Sequence, residues 1–194
     1  MRQFISIFIL VIAPTLATFT THVSAQYGPV EDLGSGNAGL RVAAFNAAAN
    51  MRINGSSKGR TRSGSISDII KVQAGSAQIT GGGESSLSVR LTAGKTYVVA
   101  FVSGVPVGLY ELSNASASRA SATVMMLNQS GKVASFNASG QSLGSVANGR
   151  LKIATVPPTR TSFTASGQSL SRVSLRRGRV FALILTRSGL YLAS

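Results

Sequence analysis

"SLSVRLTAGKTYVVAFVSG" (Ser86 to Gly104) and "SLSRVSLRRGRVFALILTRSG" (Ser169 to Gly189) say nearly the same thing twice. In each, a piece opening on Ser-Leu-Ser leads to a glycine–basic pair and then to an apolar run. Gly94-Lys95 answers Gly178-Arg179, and Tyr97 answers Phe181. The first piece alternates, with Leu87, Val89 and Leu91 on one face and Ser88 and Arg90 on the other. That period of two describes a strand with one wet face. "TYVVAFV" is continuously apolar, as suits a central strand that faces a second layer.

Working outward, "LRVAAFNAAANMRIN" from Leu40 is echoed by "ATVMMLNQSGKVASFN" from Ala122, with Asn46 answering Asn128. "GLY" recurs at Gly108 to Tyr110 and at Gly189 to Tyr191. Strands are expected at 39–46, 50–54, 66–73, 76–79, 85–91 and 96–103. A second set is expected at 121–127, 131–136, 149–155, 160–165, 170–176 and 180–186. Gly-, Ser- and Asn-rich turns separate them, and no leucine-rich helical period appears. The expected fold is all-β, with two small antiparallel β-sandwich-like domains in tandem, related by duplication. Their expected limits are 37–113 and 119–194. The linker at 114–118 lies within "ELSNASASRAS" (Glu111 to Ser121), where small polar residues displace apolar ones.

The N-terminus reads as a cleaved leader over 1–25. Arg2 precedes an apolar run, and Val23-Ser24-Ala25 is a small-x-small site for signal peptidase. A lead-in segment, 26–36, follows. Losing Arg2 leaves 18 basic against 5 acidic side chains, a net charge of +13. Export to a bacterial periplasm suits a chain with no cysteine. It also redirects the basic charge from nucleic acid, which is not expected as a partner, toward anionic polysaccharide, lipid headgroups or an acidic protein.

Gly34, Gly36 and Gly39 spell the dinucleotide-binding pattern GxGxxG. That fingerprint needs a strand before it and a helix through it. Here a polar, proline-containing stretch precedes the glycines and the strand-like "LRVAAFN" follows, so a nucleotide site is rejected. The lone histidine, His22, leaves with the leader, and no thiol is present. Histidine relays, thiol nucleophiles and His/Cys metal cages are therefore not expected, nor is any cofactor. The chain reads as a non-enzyme.

Two local concentrations of charge are the candidate sites for a polyanion or an acidic partner. Lys58, Arg60 and Arg62 form the first, expected in a loop; Arg176, Arg177 and Arg179 form the second, at a turn. Arginine forks onto carboxylates, and several charges in a row can track a chain-like polyanion. The other basic residues, Arg41, Arg52 and Arg90 among them, read as singly scattered surface charges. Asn-x-Ser acceptor patterns at Asn54, Asn114, Asn128 and Asn137 carry no functional weight in so Asn- and Ser-rich a chain.

A leader followed by "QYGP" (Gln26 to Pro29) and "GLRVAAFNA" (Gly39 to Ala47) resembles the AlgF family of alginate O-acetylation proteins. The resemblance continues through "SISDIIKVQAGSAQI" (Ser65 to Ile79), "SLSVRLTAGKTYVVAF" (Ser86 to Phe101), "ATVMMLNQS" (Ala122 to Ser130) and "VSLRRGRVFALILTRSG" (Val173 to Gly189). It implies a periplasmic, non-catalytic accessory protein of two β-sandwich-like domains, required for O-acetylation of an exported acidic exopolysaccharide, alginate or alginate-like. Its implied partners are periplasmic acetyltransferase-like proteins and a membrane O-acyltransferase, with the polysaccharide itself as a further ligand. The positions carried over, without assigned roles, are Tyr27, Gly28, Pro29, Arg41, Asn46, Gly94 and Lys95. The alternatives are a stand-alone polyanionic carbohydrate-binding module or a structural envelope protein.

Overall fold

The computed structural model describes residues 24–25, 33–112, 117–118 and 120–194, and the regular elements among them are all strands. Tyr27, Gly28 and Pro29, and most of the expected leader, lie outside the described residues. β1 (Ser24–Ala25) precedes the first domain, which consists of β2 (Asn37–Phe45), β3 (Ala49–Ile53), β4 (Ser56–Thr61), β5 (Ser65–Ile66), β6 (Ile70–Gln73), β7 (Gly75–Thr80), β8 (Ser86–Leu91), β9 (Thr96–Val102) and β10 (Val105–Leu112). β11 (Ala117–Ser118) falls in the expected linker and pairs with β1. The second domain consists of β12 (Ala122–Gln129), β13 (Ala134–Ala138), β14 (Gln141–Val146), β15 (Leu151–Val156), β16 (Arg160–Ala165), β17 (Gln168–Ser174), β18 (Val180–Thr186) and β19 (Leu190–Ala193).

The two domains share one topology. In the first, an outer sheet runs β4-β3-β7-β8 and an inner sheet runs β10-β9-β2-β5, with β6 also beside β2. In the second, the outer sheet runs β14-β13-β16-β17 and the inner sheet β19-β18-β12-β15. All pairs are antiparallel except one in each domain: β2 lies parallel to β9, and β12 parallel to β18. Parallel neighbours need a long crossover, and the intervening strands supply it by building the outer sheet. Local devices repeat as well. The β3–β4 and β13–β14 hairpins turn on Asn54-Gly55 and Ser139-Gly140, all four at positive φ, the geometry of a two-residue type I′ turn. Each hairpin then bulges at a glycine with φ above 100°, Gly59 and Gly144.

The strand registers and turn hydrogen bonds of the two domains correct two of the expected correspondences. The Lys95 carbonyl accepts from the Gly39 amide, as the Arg179 carbonyl does from Thr123. The Asn37 carbonyl accepts from Gly94, as that of Ser121 does from Gly178. Gly94-Lys95 and Tyr97 therefore do answer Gly178-Arg179 and Phe181. Asn46, however, aligns with Ser130, and the counterpart of Asn128 is Ala44. The repeated "GLY" is also coincidental: Tyr110 pairs with Val98, and the equivalent pairing in the second domain is Ala193 with Ala182. Besides the two-residue β1 and β11, four strands of the two domains were missing from the expected set: β4, β10, β14 and β19. Gly, Ser and Pro content hid β4, β10 and β14, since hairpin partners and edges tolerate residues that central strands do not, and β19 is only four residues long.

Each sandwich has its own core. Leu40, Val42, Val99 and Phe101 meet Met51, Ile79 and Leu91 in the first. Val124, Met126, Leu183 and Leu185 meet Phe136 and Phe163 in the second. Tyr97 belongs to the core, as expected, with its hydroxyl accepting from the Thr92 amide at 3.1 Å. A third buried layer joins the domains: Ala43, Phe45, Val98, Ala100 and Tyr110 face Met125, Leu127, Ala182, Ile184 and Ala193. The two halves thus share a buried layer in addition to their separate cores. The inner strands are apolar on both faces, and the second face must also be covered. Each domain presents the same side of its inner sheet, so the contact resembles an isologous dimer folded into one chain.

Tyr110 sits in that layer, and burial pushes its phenol up to about 12, partly offset by the neighbouring Gln129 side chain. The unfolded phenol ionises near 10, so stability falls as pH rises between those two values.

Candidate functional site

The outer sheet of the first domain carries a hollow of about 700 Å³, lined by Asn50, Arg52, Ser57, Gly59, Arg60, Thr80 and the loop Gly81-Gly82-Gly83. A neighbouring hollow of about 530 Å³ is lined by Asn54, Ser76, Ala77, Gln78, Ser88, Val89 and Arg90. Alternation puts the polar and charged side chains among them outside, while Ala77 and Val89 face the core. Along β3, Ala49, Met51 and Ile53 are buried while Asn50 and Arg52 are exposed, and β7 and β8 follow the same rule. Register then brings residues distant in sequence side by side. Asn50 lies opposite Arg60, Arg52 opposite Ser57 and Thr80, and Ser76 opposite Arg90. Neither hollow is lined by a carboxylate, and Glu84 follows the glycine loop.

The wall of the larger hollow depends on Gly81. A methyl group there would overlap the Gly104 carbonyl oxygen and crowd Phe101, whereas one on Gly82 or Gly83 would meet open space or only the Asn50 amide. Asn46 supports the same corner. It adopts a φ of 64° and donates to the Ser103 hydroxyl at 3.1 Å, beside Gly104. Gly81→Ala is therefore expected to destabilise the protein by roughly 1–3 kcal/mol, as overpacking does. Gly82→Ala should stay within about 0.5 kcal/mol. Denaturant unfolding of the two variants checks this, and equal stabilities would refute the role given to Gly81.

The second domain offers an internal control. At the ladder positions of Arg52, Arg60 and Arg90 it places Asn137, Ser145 and Ser174. Around these three positions lie the Ser135 and Ser145 hydroxyls, 3.1 Å apart, and one exposed arginine, Arg160 of β16, which sits opposite Ser174. Where the first domain inserts Gly81 to Ser85, the second closes β16–β17 through Ser166-Gly167 alone. The fold itself requires neither the arginines nor the glycine loop.

The first expected basic cluster is not a loop. Lys58 and Arg60 lie on β4, an edge strand, and Arg62 follows it; all three are exposed. So polar a run reads as a loop, but an edge strand with one wet face and a bulge carries charge readily. Arg176, Arg177 and Arg179 are exposed around the Gly178 turn that leads from β17 to β18. The two clusters thus sit on different domains. Arg52 and Arg90, which join Arg60 on the outer sheet, were not singled out by the sequence. The available signal was their alternation with Met51 and Ile53, and with Val89 and Leu91.

The remaining family-like positions have structural surroundings. Arg41 lies on β2, half-buried, and its Nη1 donates to the Ser67 carbonyl at 3.2 Å. Gly94 takes a φ of 74° in the β8–β9 turn. Lys95 pairs with Glu111 at 2.8 Å, and that hydrogen bond and charge raise its pKa; both side chains are about half exposed. Among the described residues no group of three His, Cys, Asp or Glu side chains could hold a metal ion. No known family model matches the chain, and a search of curated proteins finds no match either.

Proposed function

We propose that the chain is a non-catalytic periplasmic accessory protein that engages an acidic exopolysaccharide, alginate or alginate-like, and serves its O-acetylation. The observation that carries the binding part is the basic, glycine-walled hollow of the first domain, set against the uncharged Asn137, Ser145 and Ser174 at the equivalent arginine positions of the second. Guanidinium groups recognise carboxylates through paired N–H donors, and a groove lined with hydroxyls and amides accommodates sugar hydroxyls. The O-acetylation part rests on the resemblance of the sequence to the AlgF family, as do the acetyltransferase-like proteins and membrane O-acyltransferase proposed as partners.

Deleting the gene and measuring polymer acetyl content separately from polymer yield tests this function. Acetylation should fall while polymer is still exported. Unchanged acetylation with normal yield would overturn it and leave a stand-alone carbohydrate-binding module, a reading favoured by the presence of the whole groove on this one chain.

A further inference from the structure

The register of the outer sheet arranges its charges on a line. Arg60 lies opposite Asn50, and Arg52 is two residues along β3 from Asn50. Arg52 lies opposite Thr80, and Gln78 is two residues along β7. Gln78 lies opposite Ser88, and Arg90 is two residues along β8. Arg60, Arg52, Gln78 and Arg90 therefore step diagonally, one strand over and two residues along each time. All four are exposed on the outer face. With strands ~4.8 Å apart and a rise of ~3.4 Å per residue, each step is roughly 8 Å and the line roughly 25 Å.

We infer that this diagonal, running from the larger hollow into the smaller one, is the binding track for a single linear oligouronate. The inference rests on the acidic-glycan reading above and gives it a direction and an extent. A compact phosphate or lipid headgroup needs cations that converge on one point. Here Arg60 and Arg90 stand at opposite ends, so one ligand reaches both only if it is long. Gln78, at the middle, donates to the Ser86 hydroxyl at 3.1 Å. Its remaining amide hydrogen and carbonyl oxygen suit sugar hydroxyls between carboxylates. The glycine loop walls the Arg52–Arg60 end, and Asn54, which lines the smaller hollow, accepts on its Oδ1 from the backbone N–H of Gln78 at 2.8 Å.

Calorimetry with the full mature chain at low and high salt decides the matter, with a diuronate, a hexauronate, polyglutamate and anionic phospholipid vesicles as probes. The hexauronate should bind at least about tenfold more tightly than the diuronate, because linked contacts along one track reinforce each other. Arg90→Gln should remove most of that advantage and change diuronate binding less than about twofold. Arg60→Gln should weaken both, and added salt should weaken all binding. Thermal unfolding confirms that these surface variants remain folded. Equal affinities for the two oligomers, a hexauronate affinity indifferent to Arg90→Gln, or equally tight binding of polyglutamate or vesicles would overturn the track. Acetylation loss on gene deletion is read independently, so the track can fail while the accessory role stands.

Discussion

Phe45→Ala should cost about 3–5 kcal/mol, the range for emptying a fully buried aromatic site, and should lower the melting temperature by roughly 10 °C in a chain of this size. Phe45 is fully buried, and it lies not within a sandwich but in the layer between the two. The truncation leaves a cavity lined by both domains, so both should lose stability together. Unfolding followed by tyrosine fluorescence and by far-ultraviolet circular dichroism should give coincident, single transitions for wild type and variant. A variant in which one domain melts early while the other keeps its wild-type midpoint would show that the middle layer does not couple them. The sequence of the second domain sharpens the point. The position equivalent to Phe45 holds Gln129, so the paired surfaces are symmetric in backbone and not in side chains.

Asn128→Ala is the second large expected effect, about 3 kcal/mol. The Asn128 side chain is wholly buried and uses its full hydrogen-bonding capacity. Its Nδ2 donates to the Lys132 and Val146 carbonyls, both at 2.7 Å; its Oδ1 accepts from the Ser130 amide at 3.0 Å and the Ser130 hydroxyl at 2.8 Å. Alanine would strand several of these groups away from water, at roughly 1–3 kcal/mol for each one left unsatisfied. Leucine would not help, since it satisfies none of them. Asn128→Asp should be at least as damaging, because it sets a carboxylate against two converging carbonyls. Denaturant unfolding measures the three variants on one scale. A loss under about 0.5 kcal/mol for Asn128→Ala would contradict the bracing role. The same burial makes the Asn-x-Ser pattern at Asn128 unreachable for modification in the folded protein. Its counterpart in the first domain, Ala44, needs no such brace because the chain leaves β2 through a shorter bend, Asn46-Ala47.

Much of the architecture was legible in the residues. The alternation of Leu87, Val89 and Leu91 with Ser88 and Arg90 assigned the faces of β8 before any partner strand was known. The unbroken apolar runs at Thr96–Val102 and Val180–Thr186 marked the strands covered on both sides. The Gly94-Lys95 and Gly178-Arg179 turns disclosed the repeat. These signals are local: side-chain direction alternates within a strand, and a tight turn needs particular residues at particular positions. Nothing local says which strand lies beside which, or in what register. A similarity judged by residue type therefore aligned Asn46 with Asn128, although one caps an exposed bend and the other braces a buried loop. It also left Arg52 and Arg90 as isolated charges, unconnected to the cluster that holds Arg60. Their alignment exists only because pairing fixes Arg52 opposite Thr80 and Arg90 opposite Ser76, and pairing is settled by burying one face of every strand at once. The sequence by itself determined an all-β chain of two like halves; the line of charge on the first domain and the third core between the domains were decided by tertiary structure, because both arise from contacts between segments that no local pattern connects.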